Sequence, residues 1–329
     1  VADEQKATGI RLLDVLDVHW YPSESSNADL VQLHRVFYDE TYVYPGANGV
    51  KTINGGWDGA QTKEYIFKRI NGWLNTHFGE NHGITIALTE NDISSSNPNI
   101  VSVVYASMLG TFADNGVEIF TPWSWKTGMW ETLHLFSRYA KSTRVRTTST
   151  GESTVSGYST VNSSNDSLTV ILVNRDLSAS RTVTVNLAGF TVPNGSYNIL
   201  ELSALPSTET FVSHTTNAIK SKTVAVSGNS FTLTLPSLST TAVILAGTGT
   251  GIEENQPESG DSNTLRAYPN PTSGKFTIHL DEQVPGDLTL KFTNLTGNMV
   301  LTLKAGNDSE IDLSQTTLDG GMYVVTAEN

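Results

Sequence analysis

Apolar runs of strand length alternate with helix-period stretches along the first part of the chain. The run LLDVLDVHW (12–20) closes on polar and aromatic side chains, and a helical stretch follows near 28–40. A second helical pattern, TKEYIFKRINGWLNTHF (62–78), leads into the apolar ITIALTE (84–90). NIVSVVYASMLGTFADNG (99–116) reads as a helix with a glycine stop, ahead of VEIFTPW (117–123) and the amphipathic ETLHLFSRYAKS (131–142). Near-continuous apolar strands separated by helices predict a parallel α/β sheet. The opening VADEQKATGIRLLDV reads as the tail of a helix feeding a strand, and the chain closes on GGMYVVTAEN, again strand-like. Both ends are expected to be cuts through structure.

From about residue 147 the period changes. STVSGYSTVN, SLTVILVNR, SRTVTVNLAGF, GSYNILELS, KTVAVSG, SFTLTLP and TTAVILAG are short runs separated by Asn, Gly, Ser and Pro, which predicts an antiparallel β-sandwich. TGTGIEENQPESGDSNT (248–264) has no periodicity and reads as a linker. Beyond it KFTIHL, LTLKFTN, MVLTLK, EIDLS and MYVVTA predict a second, smaller β domain. The fold expected is therefore multidomain: the last strands of a (β/α)8 TIM-like barrel at 1–146, a β-sandwich at 147–247, a linker at 248–264 and a small Ig-like β-sandwich at 265–329.

Composition sharpens this division, because all six Trp fall before residue 131. A net charge of −13 with no basic run disfavours nucleic acid and anionic membrane surfaces, since nothing would neutralise phosphates, and suits a neutral substrate. With no cysteine, disulfides and thiolate metal sites are excluded. His19, His34 and His134 lack ligand spacing, so no cofactor is expected, although Asp and backbone oxygens leave room for a structural calcium.

In a parallel α/β barrel, chemistry gathers where strands end. The first strand ends in Asp17, His19, Trp20 and Tyr21; the second in Glu90, Asn91 and Asp92; the third in Trp123 and Trp125, with Trp130 close behind. Indoles stack on sugar faces, and carboxylates attack or protonate glycosidic bonds. Each residue also has a plainer reading. Glu90 would be a solvated loop residue, His19 a partner of a backbone carbonyl, Tyr21 loop packing and the tryptophans core. The coincidence at three strand ends favours carbohydrate chemistry. The connection YVYPGANGVKTINGGWDG after Tyr21 is long enough to be functional, and its Trp57 is a further sugar platform or the loop's anchor.

LLDVLDVHWYP, ITIALTEND, PWSWKTGMW and HLFSRYAKS, in this order, resemble glycoside hydrolase family 44, a clan A family of endoglucanases and xyloglucanases. The resemblance covers about residues 1–247. It implies a TIM-like barrel joined to a β-sandwich and a retaining mechanism on β-1,4-glucan, with Glu90 as nucleophile at the end of the seventh strand. His19 and Tyr21 would stand beside it, Tyr21 holding the carboxylate in its attacking orientation. Trp123 would stack under the sugar at the cleavage point, with Trp20, Trp125, Asn91 and Trp57 as further substrate contacts. The family's acid/base follows an Asn at the end of the fourth strand, and this chain has no Asn-Glu pair. The resemblance thus implies that the acid/base lies upstream of Val1 and that this chain alone is inactive. Glu24 is the other nearby carboxylate, with a solvated loop role expected. Three of eight strands should also leave an open edge and an exposed apolar inner face.

LRAYPNPTSGKFTIHL (265–280), LTLKFTNLTGNMV and LDGGMYVVTA resemble the C-terminal sorting domain of the type IX secretion system, through Tyr268-Pro269-Asn270-Pro271, Gly274, Gly297, Gly321 and Tyr323. This implies secretion or cell-surface attachment in a Bacteroidetes-type bacterium, with the sorting machinery as a partner. The expected molecule is a monomer acting on polysaccharide. The competing readings are another clan A hydrolase, acting on xylan or mannan, and a noncatalytic glycan-binding or adhesin protein.

Overall fold

The computed structural model describes residues 1–45, 50–51, 56–59, 63–249, 265–268, 274–280, 288–294, 299–306, 309–314, 316, 318 and 323–328. The chain divides into two compact units, Val1–Ile252 and Glu253–Asn329. Among the described residues no helix is long and apolar enough to cross a membrane.

Unit one opens with helix α1 (Ala2–Thr8), closed by Gly9 in the left-handed region at φ 70°. Strand β1 (Val15–Trp20) follows, then two single-turn helices, α2 (Asn27–Leu30) and α3 (Arg35–Tyr38). The continuous helix expected at 28–40 is interrupted because the turn between them is held by i→i−3 bonds, Gln32 to Asp29, Leu33 to Leu30 and Arg35 to Gln32. A two-residue pair, β2 (Val50–Lys51) and β3 (Trp57–Asp58), precedes α4 (Ile66–Phe78). Strand β4 (Thr85–Asn91), α5 (Pro98–Asp114), β5 (Val117–Phe120) and α6 (Met129–Tyr139) complete this part. The start of α5 is written in the sequence. Asn97 caps it, its side-chain oxygen accepting from Asn99 N at 3.0 Å, and Pro98 supplies the first helical residue.

Strands β1, β4 and β5 form one parallel sheet in the order β1-β4-β5. Leu16, Val18, Ile86 and Leu88 pack toward the helices, where Phe37, Phe67 and Phe112 meet as an aromatic cluster. The opposite face is mixed and not apolar throughout, with Ala87 and the exposed Ile119 paired on it among polar side chains. It carries Asp17, His19, Thr85, Thr89 and Glu118, and Thr85 donates to the Glu118 carboxylate.

The second layer is a six-stranded antiparallel sheet, built from β6 (Thr143–Val145), β7 (Val155–Val161), β8 (Ser167–Asn174), β11 (Gly195–Leu202), β12 (Lys220–Val226) and β14 (Ser239–Ala246). Its order is β12-β11-β14-β8-β7-β6. The small sheet β9 (Arg181–Asn186) with β13 (Ser230–Leu235) contributes Val183, Val185, Phe231, Leu233 and Leu235 to the sandwich core. Strand β8 explains how the parts join. It is buried on both faces, with Leu168, Val170 and Leu172 in the sandwich core and Ile171 and Val173 in the core shared with α5. At Gly110 of α5 an added Cβ would lie 2.3 Å from the Tyr158 ring, so the helix approaches the sheet as closely as only glycine allows.

The expected linker at 248–264 begins inside structure. Thr248–Gly249 is strand β15, paired with β10 (Phe190–Thr191), and on its other side Gly247 N and Gly249 N donate to the Asp166 and Asn165 carbonyls. Residues 250–264 lie outside the described residues.

Unit two contains two three-stranded antiparallel sheets. β16 (Leu265–Tyr268), β17 (Lys275–Leu280) and β20 (Glu310–Asp312) form one; β18 (Leu288–Asn294), β19 (Met299–Ala305) and β21 (Tyr323–Glu328) form the other, ordered β19-β18-β21. Phe276, Ile278, Leu290, Phe292 and Ile311 fill its core. Of the sorting motif residues, Tyr268 ends β16, Gly274 has φ 115° and Tyr323 opens β21, while Pro269, Asn270, Pro271, Gly297 and Gly321 lie outside the described residues.

Candidate active site

Glu90 owes its position to an irregularity in β4. Ile86 and Leu88 face the helices, and strict alternation would send the residue at 90 the same way. The register with β1 instead shifts between Val18 and His19, so that Leu88 pairs with Val18 while Glu90 pairs with His19. Thr89 is the extra residue. Its N–H donates to Asp17 Oδ1 at 3.0 Å and its hydroxyl to the other Asp17 oxygen, which pins the bulge. A bulge flips every later side chain to the other face, and here it turns the carboxylate out of the core.

Three side chains converge as a result. Tyr21, just past the end of β1 and half-exposed, donates its hydroxyl to Glu90 Oε2 at 2.9 Å. His19 Nδ1 lies 3.3 Å from the same oxygen, and its Nε2 lies 3.4 Å from Asp17 Oδ2. The imidazole therefore bridges two carboxylates. Desolvation, followed by the Glu90 hydrogen bond and charge, pushes the Tyr21 phenol up to about 12. The Thr89 hydroxyl holds Asp17 below the ordinary carboxylate value, against a smaller opposing effect of burial.

The end of β5 is tied to this centre. Trp123 N donates to Asn91 O at 2.9 Å, Ser124 Oγ to Asp92 Oδ2 at 2.9 Å, and Lys126 Nζ lies 2.8 Å from Asp92 Oδ1. Partial burial acts to raise Asp92, and the hydrogen bonds from Lys126, Ser124 and Ile93 N outweigh it and hold the group below its ordinary value. Trp123 and Trp125, the alternate residues, are 67% and 46% exposed.

Not every expected contact faces this side. Asn91 is fully buried, its amide donating to Trp20 O at 2.9 Å. Trp20 turns to the helix side, edge-on to Phe37 at 4.9 Å and beside Tyr44 at 6.0 Å. Trp20 follows Leu16 and Val18 by plain alternation along β1, and the bulge in β4 brings Asn91 to the same core face, paired with it. These two residues build the wall behind the site and do not offer themselves to a ligand. Glu24 is not solvated either; it is buried and accepts a hydrogen bond from Tyr44. Trp57 pairs through its backbone with Lys51, and its side chain lies outside the described residues. Among the described residues no group of three His, Cys, Asp or Glu is arranged to hold a metal ion.

Sequence reasoning missed the Thr89–Asp17 lock and the contribution of the sandwich. The loop between β11 and β12 sends Phe211 onto α6, where it meets Trp130 and His134. No periodicity marks that loop.

Residues 266–329 match the family model for the secretion system C-terminal sorting domain. The protein therefore carries a type IX sorting signal and is secreted or attached to the cell surface. No curated protein sequence matches the chain. Among solved structures the chain is similar to CelM2, a bifunctional glucanase-xylanase protein from a metagenome library, at 24% identity and TM-score 0.60, over 75% of this chain and 46% of that one. It is similar to a Paenibacillus polymyxa xyloglucanase from glycoside hydrolase family 44 at 20% identity and TM-score 0.60, over 76% and 49% of the two chains. The corresponding figures for Cel44A, a family 44 endoglucanase from Clostridium thermocellum, are 22% and 0.60, over 74% and 49%. The chain thus has the fold of these TIM-barrel-type glycoside hydrolases and spans about half their length.

Proposed function

We propose that the protein acts as part of a secreted retaining glycoside hydrolase on β-1,4-glucan of the cellulose or xyloglucan type, with Glu90 as nucleophile. The observation that carries this reading is the Tyr21–Glu90–His19 cluster at the ends of adjacent parallel strands, beside an exposed indole at 123. A carboxylate held by a phenol and an imidazole keeps one lone pair aimed, which is what attack on an anomeric carbon requires. In the first step a Glu90 oxygen bonds the anomeric carbon as the glycosidic oxygen leaves. In the second, water breaks the glycosyl ester and frees the carboxylate.

The leaving oxygen needs a proton from a second carboxyl group about 5–5.5 Å from the first. Asp17, Asp92 and Glu24 are each engaged, by Thr89, Lys126 and Tyr44. Following the family pattern, in which the acid/base comes after an Asn, the reading assigns that group to sequence outside this chain, and takes the chain as a monomer whose 1–146 and 147–247 segments are barrel and sandwich. Xylan is the second substrate reading, favoured by the likeness to a glucanase-xylanase.

A dinitrophenyl β-cellobioside tests the nucleophile directly, because its leaving group departs without acid assistance. Glu90→Gln should lower its turnover by about a thousandfold while cellohexaose binding persists. Undiminished turnover would rule out the role, and binding with no dinitrophenolate released, not even a single burst, by the unaltered chain would favour a glycan-binding protein.

A further inference from the structure

The β-sandwich contributes to the same ligand surface. Trp125 and Trp130 stack with ring centroids 4.2 Å apart and planes within 9°. Behind them Phe211 continues the column, 6.4 Å from Trp130 at 13°, and its ring also rests on His134 at 5.1 Å. Trp130 and His134 lie four residues apart on α6 and so present one helical face to Phe211. Phe211 itself belongs to the loop joining β11 to β12, a segment of the sandwich.

That loop is fastened to α6 by a buried carboxylate. Glu131 is 1% exposed, and it accepts from Ala218 N at 3.0 and 3.1 Å and from Thr210 Oγ1 at 2.8 Å. Two donors to one buried carboxylate, the Thr210 hydroxyl and the Ala218 N–H shared between its two oxygens, fix the loop on both sides of Phe211. A surface loop held this firmly, with an aromatic at its centre, braces the two indoles in front of it. The front indole is Trp125, two residues beyond Trp123 on the segment tied to Asn91 and Asp92.

We infer that Phe211 of the sandwich, fastened through Glu131, positions Trp130 and Trp125 so that Trp125, a substrate contact in the glucan reading, is held as a rigid stacking platform for a neutral β-1,4-glucan chain next to the Glu90 centre. Stacking on a sugar ring demands a flat indole that does not rotate away, and the column supplies that rigidity before binding. Glu131 and Phe211 are positioning residues, acting through Trp125 and not by touching sugar. The proposal rests on the glucan reading above, and adds to it that the sandwich sets affinity along the chain.

The test is calorimetric titration of the full chain with cellohexaose, together with the indole exciton band in circular dichroism, which reports the stacked pair. Trp125→Ala should weaken binding by about tenfold or more, and Phe211→Ala by about threefold to tenfold with a reduced exciton band. Phe211→Tyr should restore both, which a variant that merely unfolds the loop would not show. Cellohexaose binding unaffected by Trp125→Ala and Phe211→Ala, yet lost in Trp123→Ala, would overturn the platform alone. An unaltered chain with no affinity for cellohexaose would overturn the platform and the glucan reading together.

Discussion

At the scale of single residues, Glu90 shows what sequence does and does not reveal. A carboxylate at the end of an apolar strand was conspicuous, and so were His19 and Tyr21 at the matching place on the neighbouring strand. In the structure both meet one oxygen of Glu90. Asn91 and Trp20 looked equally suitable by type but sit on the core face: Trp20 by its alternation with Leu16 and Val18, and Asn91 because a one-residue register shift in β4 leaves no mark in composition. The Tyr21 bond also has a titration consequence. Its neutral phenol donates to a carboxylate, so ionisation would place two negative groups together and is deferred to about 12. In Glu90→Gln the carboxylate's contribution disappears while desolvation remains, so the phenol should ionise at lower pH, yet still above about 10. The Cζ carbon resonance of Tyr21, assigned with Tyr21→Phe, reads this out. An unchanged titration would mean that the phenol and carboxylate do not meet.

Among elements, the long, capped helix α5 and the three parallel strands were legible from period and capping signals. The continuous helix expected at 28–40 was not, since its apolar spacing also fits two single turns joined by tighter bonds. Nor did SLTVILVNR reveal that its two faces serve different cores, because an uninterrupted apolar run looks the same whichever layers cover it. That double burial makes the contact of α5 with the sheet testable. In an exposed helix Gly→Ala stabilises by roughly 0.5–1 kcal/mol. At Gly110 the new methyl meets the buried Tyr158 ring at 2.3 Å. Overpacking of this kind costs about 1–3 kcal/mol, so the sign should reverse and the melting temperature of unit one should fall by several degrees. Pairing the change with Tyr158→Leu should recover much of the loss. A rise in melting temperature for Gly110→Ala alone would contradict the packing.

For the whole molecule, the division into a Trp-bearing α/β part, a sandwich and a C-terminal β domain was visible in composition and period. What composition concealed is that the first two share one core, running from Leu30 to Ala242, and so form a single unit. The sorting domain fixes the destination outside the cell or on its surface. All of this converges on whether Glu90 attacks a sugar. A 2-deoxy-2-fluoro cellobioside carrying a dinitrophenolate leaving group needs no acid catalyst and forms a glycosyl ester that water removes slowly. Mass spectrometry of the treated, proteolysed chain should place the added fluorosugar on Glu90, and Glu90→Gln should carry none. A label on any other carboxylate, or a chain that binds cellohexaose yet takes no label, would contradict the account.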